Sequence, residues 1–370
     1  MSPKFNDRLA SIPGYTPGVP KGQTAADVAG SDLAQLASNE SPHPPLEEVV
    51  GAIGEAAASM NRYPDPDATG LRERLAELHG VAPERIAVSN GSCEILLAAA
   101  GAMLEPGATV LYSWPAFSIY PNLAAMSASE EIRVPLAEGD VHDLEAMLEA
   151  ITPETRLLLV CNPNNPTSTY LPAAAIADFV ARVPEDVTVI LDEAYIEFQV
   201  IDDPAASIRL LDQHDNLVVL RTFSKSHSLA GLRVGYSLSS PEFRAAVDAV
   251  RQPFSVNALA QAAATEALAH GDAIGEQIAA SIAERDRVEA GLARIGLETA
   301  ETAANFSWVS LGERGPEIEQ NVVADLAAAG IVVRPGRLLG GPGKLRISYG
   351  PREENDRMLA ALADSVGRNS

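Results

Sequence analysis

From about Leu46 onward, apolar residues fall first at helical spacing and then in short continuous runs. Leu46 to Ser59 reads as a helix. Asp67 is expected to cap a second helix, in which Leu71, Leu75 and Leu78 recur one turn apart and Gly80 supplies the stop. Strand-like runs follow at Arg85–Ser89, Thr109–Ser113, Arg156–Cys161, Val187–Leu191, Asn216–Arg221 and Val234–Ser239. Several are apolar throughout, as strands buried on both faces must be, and helical stretches separate most of them. The class predicted is α/β, a mostly parallel sheet with helices on both sides. Beyond Pro241 the texture turns helical, and the stretch from Asp272 to Ile295 is long enough to connect two domains. Strands near Asn305–Leu311, Ile331–Arg334 and Leu345–Tyr349, with helices near Ile318–Ala329 and Glu353–Val366, predict a smaller α+β unit. The opening segment, with IPGYTPGVPKG and SNESPHPP, lacks periodicity and reads as an extended arm. The expected division is an arm over residues 1–45 that also joins the small domain, a large domain over 46–250, and the connecting helix with the carboxyl-terminal small domain over 251–370.

Composition narrows the function. The 370 residues are 46% apolar and 21% charged, enough for a sizeable core. No run approaches the roughly 18 apolar residues of a membrane span, and MSPKFNDRLASIPGY lacks the pattern of a signal peptide, so a cytoplasmic protein without membrane contact is expected. Cys93 and Cys161 are the only cysteines and lack ligand spacing, so neither a metal site nor a disulfide framework is expected. The net charge of −23 repels nucleic acid and opposes anionic small molecules. Any phosphate or carboxylate must therefore be held locally, by arginines and backbone N–H groups. Lysine occurs only at Lys4, Lys21, Lys225 and Lys344, which draws attention to one inside a polar motif.

In open α/β sheets ligands bind beyond the carboxyl ends of the strands. There the chain is polar and specific: NPNNPTS (162–168) follows RLLLVC, DEAY (192–195) follows VTVIL, and RTFSKS (221–226) follows NLVVL, with Arg233 eight residues beyond Lys225. Alone, the first string is an ordinary turn and Lys225 a solvated side chain. In this order they resemble the fold type I enzymes that use pyridoxal 5'-phosphate (PLP), and specifically the class I and II aminotransferases. The segment SKSHSLAGLRVGY (224–236) resembles the family's lysine motif along its whole length.

That resemblance implies a mixed, mostly parallel seven-stranded sheet in the large domain and a role for each matching residue. Lys225 would anchor the cofactor covalently and, once freed, move the substrate proton. Asp192 would pair with the pyridine nitrogen and keep the ring an electron sink. Tyr195 and Asn165 would donate to the cofactor's ring oxygen. Arg233, Thr222 and Ser224 would hold its phosphate together with Gly91, Ser92 and Cys93, which open a helix after a strand. Phe117 would stack on the ring. Tyr63 resembles the tyrosine that reaches the neighbouring subunit's phosphate, which implies a homodimer. Arg346 resembles the arginine that grips the carboxylates of the amino donor and the 2-oxo acid acceptor.

The resemblance covers nearly the whole chain and is nearest to histidinol-phosphate aminotransferases. It rests on the Pro-Gly-Tyr15-Thr-Pro arm, LASNESP (36–42), RYPDP (62–66), DEAYIEF (192–198), Asn305 with Phe306, and the IVVRPG and LRISYG strings. It implies that Tyr15, Arg334 and Arg346 bind the substrate phosphate, with Asn305 and Asn165 also at the substrate, in a ping-pong exchange with 2-oxoglutarate that serves histidine biosynthesis. Departures occur at Cys93, where the family commonly has an acidic or polar residue, and at Ser41, Ser168, Ser226 and His227. None removes a catalytic group. Aromatic amino acid aminotransferases share nearly the same motifs, so phenylalanine or tyrosine stays open as the donor. A PLP-dependent decarboxylase or lyase and a non-catalytic cofactor-binding protein are the remaining readings.

Overall fold

The computed structural model describes residues 33–369. Among them, twelve strands form two sheets. They are β1 (Ala34–Leu36), β2 (Ile86–Ser89), β3 (Thr109–Trp114), β4 (Glu130–Pro135), β5 (Thr155–Cys161), β6 (Thr188–Asp192), β7 (Leu217–Thr222), β8 (Gly235–Leu238), β9 (Glu298–Thr299), β10 (Phe306–Ser310), β11 (Ile331–Pro335) and β12 (Lys344–Ser348). The large sheet has the order β2-β8-β7-β6-β5-β3-β4 and is parallel except for β8, which runs against both its neighbours. This is the mixed, mostly parallel seven-stranded sheet expected.

Alternation along the central strands explains why both faces are covered. Leu158, Val160, Val189, Leu191, Leu217 and Val219 enter one apolar cluster, while Leu157, Leu159, Ile190, Val218 and Leu220 enter another. With a period of two, a strand that is apolar at every position must have helices on both sides. One side receives the Ala173–Arg182 helix, which buries Ile176, Phe179 and Val180; the other receives the Ser92–Met103 helix, which buries Ile95, Leu96 and Ala99.

The smaller sheet has the order β1-β11-β12-β10-β9, and β1 lies parallel to β11 at its edge. Its cluster includes Val288 and Leu292 from the Gly271–Arg294 helix, whose Ile274 packs instead in the large cluster. The Ala258–Ala269 helix also packs with the large cluster, through Ala260, Ala263, Ala264 and Ala267. Apolar contact with the large cluster thus persists along the chain to Ile274, and contact with the small cluster begins on the same helix at Val288.

Local details differ from the sequence expectations for physical reasons. The second helix spans Thr69–His79, and Asp65, not Asp67, satisfies its first turn: the Asp65 carboxylate accepts from the Thr69 N–H at 2.7 Å. Ala68 has φ 47, so the chain reverses just before the helix and brings the earlier carboxylate to its end. Leu71 and Leu75 are buried, whereas Leu78 is 58% exposed. Gly80, at φ 66, ends the helix as expected. No helix among the described residues is long and apolar enough to cross a membrane.

Candidate active site

The carboxyl ends of β5, β6 and β7 converge on a cavity of about 300 Å³ that the small domain closes. Its lining includes Ser92, Cys93, Phe117, Asn165, Asp192, Tyr195, Thr222, Ser224, Lys225 and Arg233 from the large domain, with Arg334, Leu339 and Arg346 from the small one. Residues 37–40, which cross between the two, form part of the wall. Of the residues singled out in the sequence, Tyr15 lies outside the described residues.

Asp192 ends β6 and is 3% exposed. Burial raises its carboxyl to about 6. Its Oδ2 accepts from the Tyr120 hydroxyl at 3.1 Å. Tyr120 escaped the sequence reading, since its aromatic ring fits an ordinary core position in the Tyr120–Ser127 helix. Lys225 follows β7, is half-buried, and donates from Nζ to the carbonyls of Ser38 at 3.1 Å and Asn39 at 2.9 Å. Burial, with Arg346 and Arg233 nearby, lowers its amine to about 8. A carboxyl raised and an amine lowered within one cavity is the pattern expected where protons are moved.

The hydroxyl of Tyr195 receives hydrogen bonds from Nδ2 of Asn39 at 3.0 Å and Nδ2 of Asn165 at 3.4 Å. The other end of the Asn165 amide accepts from the Arg346 guanidinium at 2.6 Å, and Arg346 also donates to the Ala37 carbonyl at 2.7 Å. Arg346 and Arg334 are cross-strand partners on β12 and β11 and are 7% and 5% exposed. Asn305 is absent from the cavity lining and stands behind it, donating to the Asn39 carbonyl at 3.1 Å. Tyr63 is also away from its own chain's cavity: it is 82% exposed and stacks on Phe254 with ring centroids 4.7 Å apart.

A further positive charge stands where the Ser92–Met103 helix begins. Arg233, at φ 60, donates to the Ala230 carbonyl at 3.0 Å and to the Ser224 hydroxyl at 3.4 Å, while Thr222 donates to Ser224 at 2.9 Å. Gly91, at φ 74, lets this guanidinium lie against the helix start, because a Cβ there would collide with it. Gly235 on β8 does the same for backbone: an added Cβ would stand 2.6 Å from the Ser92 nitrogen and 2.9 Å from the Arg221 carbonyl. A glycine inside a strand is the sequence signal for such an approach. Cys93 lines the cavity with its thiol pushed up by burial, which favours the neutral form. Behind the site, Glu193 and Arg221 form a buried ion pair at 2.7 Å that ties β6 to β7.

These groups fit PLP. A buried carboxylate suits the ring nitrogen, an amine suits the aldehyde, and an arginine beside a glycine-opened helix start with two hydroxyls suits the phosphate.

Comparison with known proteins agrees. The family model for aminotransferase class I and II matches residues 31–362. An aromatic amino acid aminotransferase of Streptomyces avermitilis is 42% identical over 360 residues, covering 97% of this chain and 96% of that protein. One from Thermobifida fusca is 43% identical over 374 residues, covering 99% and 98%. Among solved structures, histidinol-phosphate aminotransferase from Sinorhizobium meliloti in complex with pyridoxal-5'-phosphate superimposes with a TM-score of 0.90 at 30% identity, covering 100% of this chain and 99% of that one. A fold type I architecture, a cavity whose donors suit PLP and a match over most of the chain converge: the protein belongs to the class I and II aminotransferases and is a PLP-dependent enzyme.

Proposed function

We propose that this aminotransferase moves the amino group between an aromatic amino acid, phenylalanine or tyrosine, and a 2-oxo acid. The observation that carries this reading is the 42% and 43% identity, over nearly the full length, to proteins named aromatic amino acid aminotransferase. The order of donors expected from the sequence is thereby reversed. The strand-end motifs serve the cofactor chemistry that both kinds of enzyme share, so they do not discriminate between donors. Phe117 and Leu339 give the cavity apolar wall for an aromatic ring. Histidinol phosphate remains as a second reading, because Arg334 beside Arg346 offers two guanidiniums in one cavity and the Sinorhizobium structure is alike throughout. Specificity constants of the PLP-loaded enzyme for phenylalanine and histidinol phosphate, with the same acceptor, decide between them. The expected result favours phenylalanine by at least tenfold, and a preference for histidinol phosphate overturns the proposal.

PLP, when bound, supplies an aldehyde that accepts the amino group and a ring that withdraws electrons from the reacting carbon. Asp192 holds a proton at the ring nitrogen by its negative charge, and Tyr120 fixes the carboxylate's orientation. Lys225 would hold the aldehyde through its neutral amine and, once freed, would take the proton from substrate Cα and return it to the cofactor's former aldehyde carbon. Arg346 orients the substrate carboxylate through a two-pronged contact. Arg233, with Gly91, Ser92, Thr222 and Ser224, holds the phosphate. Arg334, Leu339 and Arg346 complete the cavity wall from the small domain and would limit water at the reacting carbon. Tyr63, exposed on its own chain, supplies a hydroxyl to the phosphate site of a second copy, so the working form is a homodimer.

A further inference from the structure

Asn39 stands where the chain leaves β1 of the small sheet and crosses toward the Glu47–Ala57 helix. It is 1% exposed and has φ 54, a left-handed conformation that few residues besides glycine adopt and that asparagine tolerates. A strained, buried polar residue marks a place where the surroundings hold a side chain deliberately. Its polar groups engage both domains. The Asn39 N–H donates to the Ser348 hydroxyl of β12 at 2.8 Å, and that hydroxyl donates to Oδ1 of Asn39 at 3.1 Å. Nδ2 of Asn39 donates to the Tyr195 hydroxyl at 3.0 Å.

The direction of these bonds matters. Ser348 has one hydroxyl proton and accepts the backbone N–H, so its proton goes to the Asn39 side-chain carbonyl. That fixes which end of the amide faces Tyr195, and the end presented is the donor. Tyr195 then receives N–H groups from both Asn39 and Asn165. Its oxygen already accepts twice, so what it has left to offer is its own proton, directed into the cavity it lines.

Resting on the reading of the site given above, we propose that Asn39, oriented by Ser348, is a positioning residue that keeps the Tyr195 hydroxyl a hydrogen-bond donor toward the cofactor. A donor aimed at the cofactor's ring oxygen favours the charged form of that oxygen and weakens its hold on the proton shared with the lysine-linked nitrogen. The visible absorption of the loaded protein then changes at a lower pH than it would without this contact. Because Ser348 belongs to the small sheet and Tyr195 to the large domain, the position of one domain is felt at the proton of the other.

The test is a spectrophotometric pH titration of PLP-loaded protein without substrate, in wild type, Tyr195→Phe, Asn39→Gly, Asn39→Asp and Ser348→Ala. Asn39→Gly removes the amide while relieving the positive φ, and Asn39→Asp keeps the shape but presents an acceptor in place of the donor. The expected midpoint rises by roughly half a unit to one unit in Asn39→Gly, at least as much in Asn39→Asp, and less in Ser348→Ala. Thermal unfolding of each variant without cofactor checks that the fold persists, and Ser348→Ala carries the test if the Asn39 variants do not fold. A shift in Tyr195→Phe with wild-type midpoints in Asn39→Gly and Ser348→Ala overturns the inference and leaves the site reading standing. An unmoved midpoint in Tyr195→Phe overturns the site reading and this inference with it.

Discussion

Lys225 meets the carbonyls of Ser38 and Asn39 and lies near two arginines, and this setting determines when its amine is reactive. In the anchor role proposed for it, only the neutral amine can attack the cofactor aldehyde. With its value lowered from 10.5 to about 8, the neutral fraction grows about tenfold per pH unit below 8 and levels off above it. The rate at which the visible band forms when PLP is added to the cofactor-free protein is expected to follow that curve. A rate still climbing steeply between pH 9 and 10, the range of an ordinary lysine, contradicts it. The same shift has a sign in stability. Between about 8 and 10.5 the folded chain binds fewer protons at Lys225 than the unfolded chain, so this residue's contribution rises with pH across that window and is constant below it. Asp192 acts oppositely: between 3.8 and about 6 it is the folded chain that keeps the extra proton, so its contribution falls as pH rises. Lys225, Asp192 and Asn165 were singled out because the polar strings after three apolar strands, taken in order, resemble a known family, and Arg233 because it completes the lysine motif; alone, each string has an ordinary reading. Asn39 and Tyr120 were not singled out, since each acts through a partner far away along the chain.

Among the elements, β8 shows how an approach of backbones builds a site. Gly235 lies between the Ser92 nitrogen and the Arg221 carbonyl, both main-chain atoms that cannot turn aside as a side chain would. Gly235→Ala is expected to push the start of the Ser92–Met103 helix away from β8, costing roughly 1–3 kcal/mol of stability. PLP affinity should fall while the spectrum of the bound cofactor stays normal, because the residues at the ring are untouched. Urea unfolding and a fluorescence titration with PLP check the two parts, and unchanged values in both would show that the strand relaxes freely. The core strands were readable because continuous apolar runs admit only burial on both faces. β1 and β4 escaped. β1 has three residues, too few for a period, and β4 at the sheet edge buries only Val134, so its hydropathy resembles a loop. Asp65 was missed as a cap because the reversal at Ala68 is a tertiary feature without a composition signal.

At the scale of the whole molecule, the proposed reach of the exposed Tyr63 into a second copy is reciprocal by symmetry. In a mixed dimer of Lys225→Ala and Tyr63→Ala chains, one site has both defects and the other has neither. Mixing the two variants, each nearly inactive at limiting PLP, is expected to restore about a quarter of wild-type activity if subunits exchange at random. No recovery under conditions where exchange is demonstrated would remove Tyr63 from the neighbouring site. Assembly of this kind is invisible to periodicity, which reports only what one chain buries by itself. The small sheet has a further consequence, for synthesis. Its edge strand β1 is made early, yet its partner β11 begins only at Ile331, after the entire large sheet has emerged. On the ribosome the large domain can therefore close while β1 still waits with an unpaired edge, and the small-sheet wall of the cavity can form only after β11 and β12 have been made. A chaperone that shields the early segment would thus be protecting a strand whose partner has not yet been made.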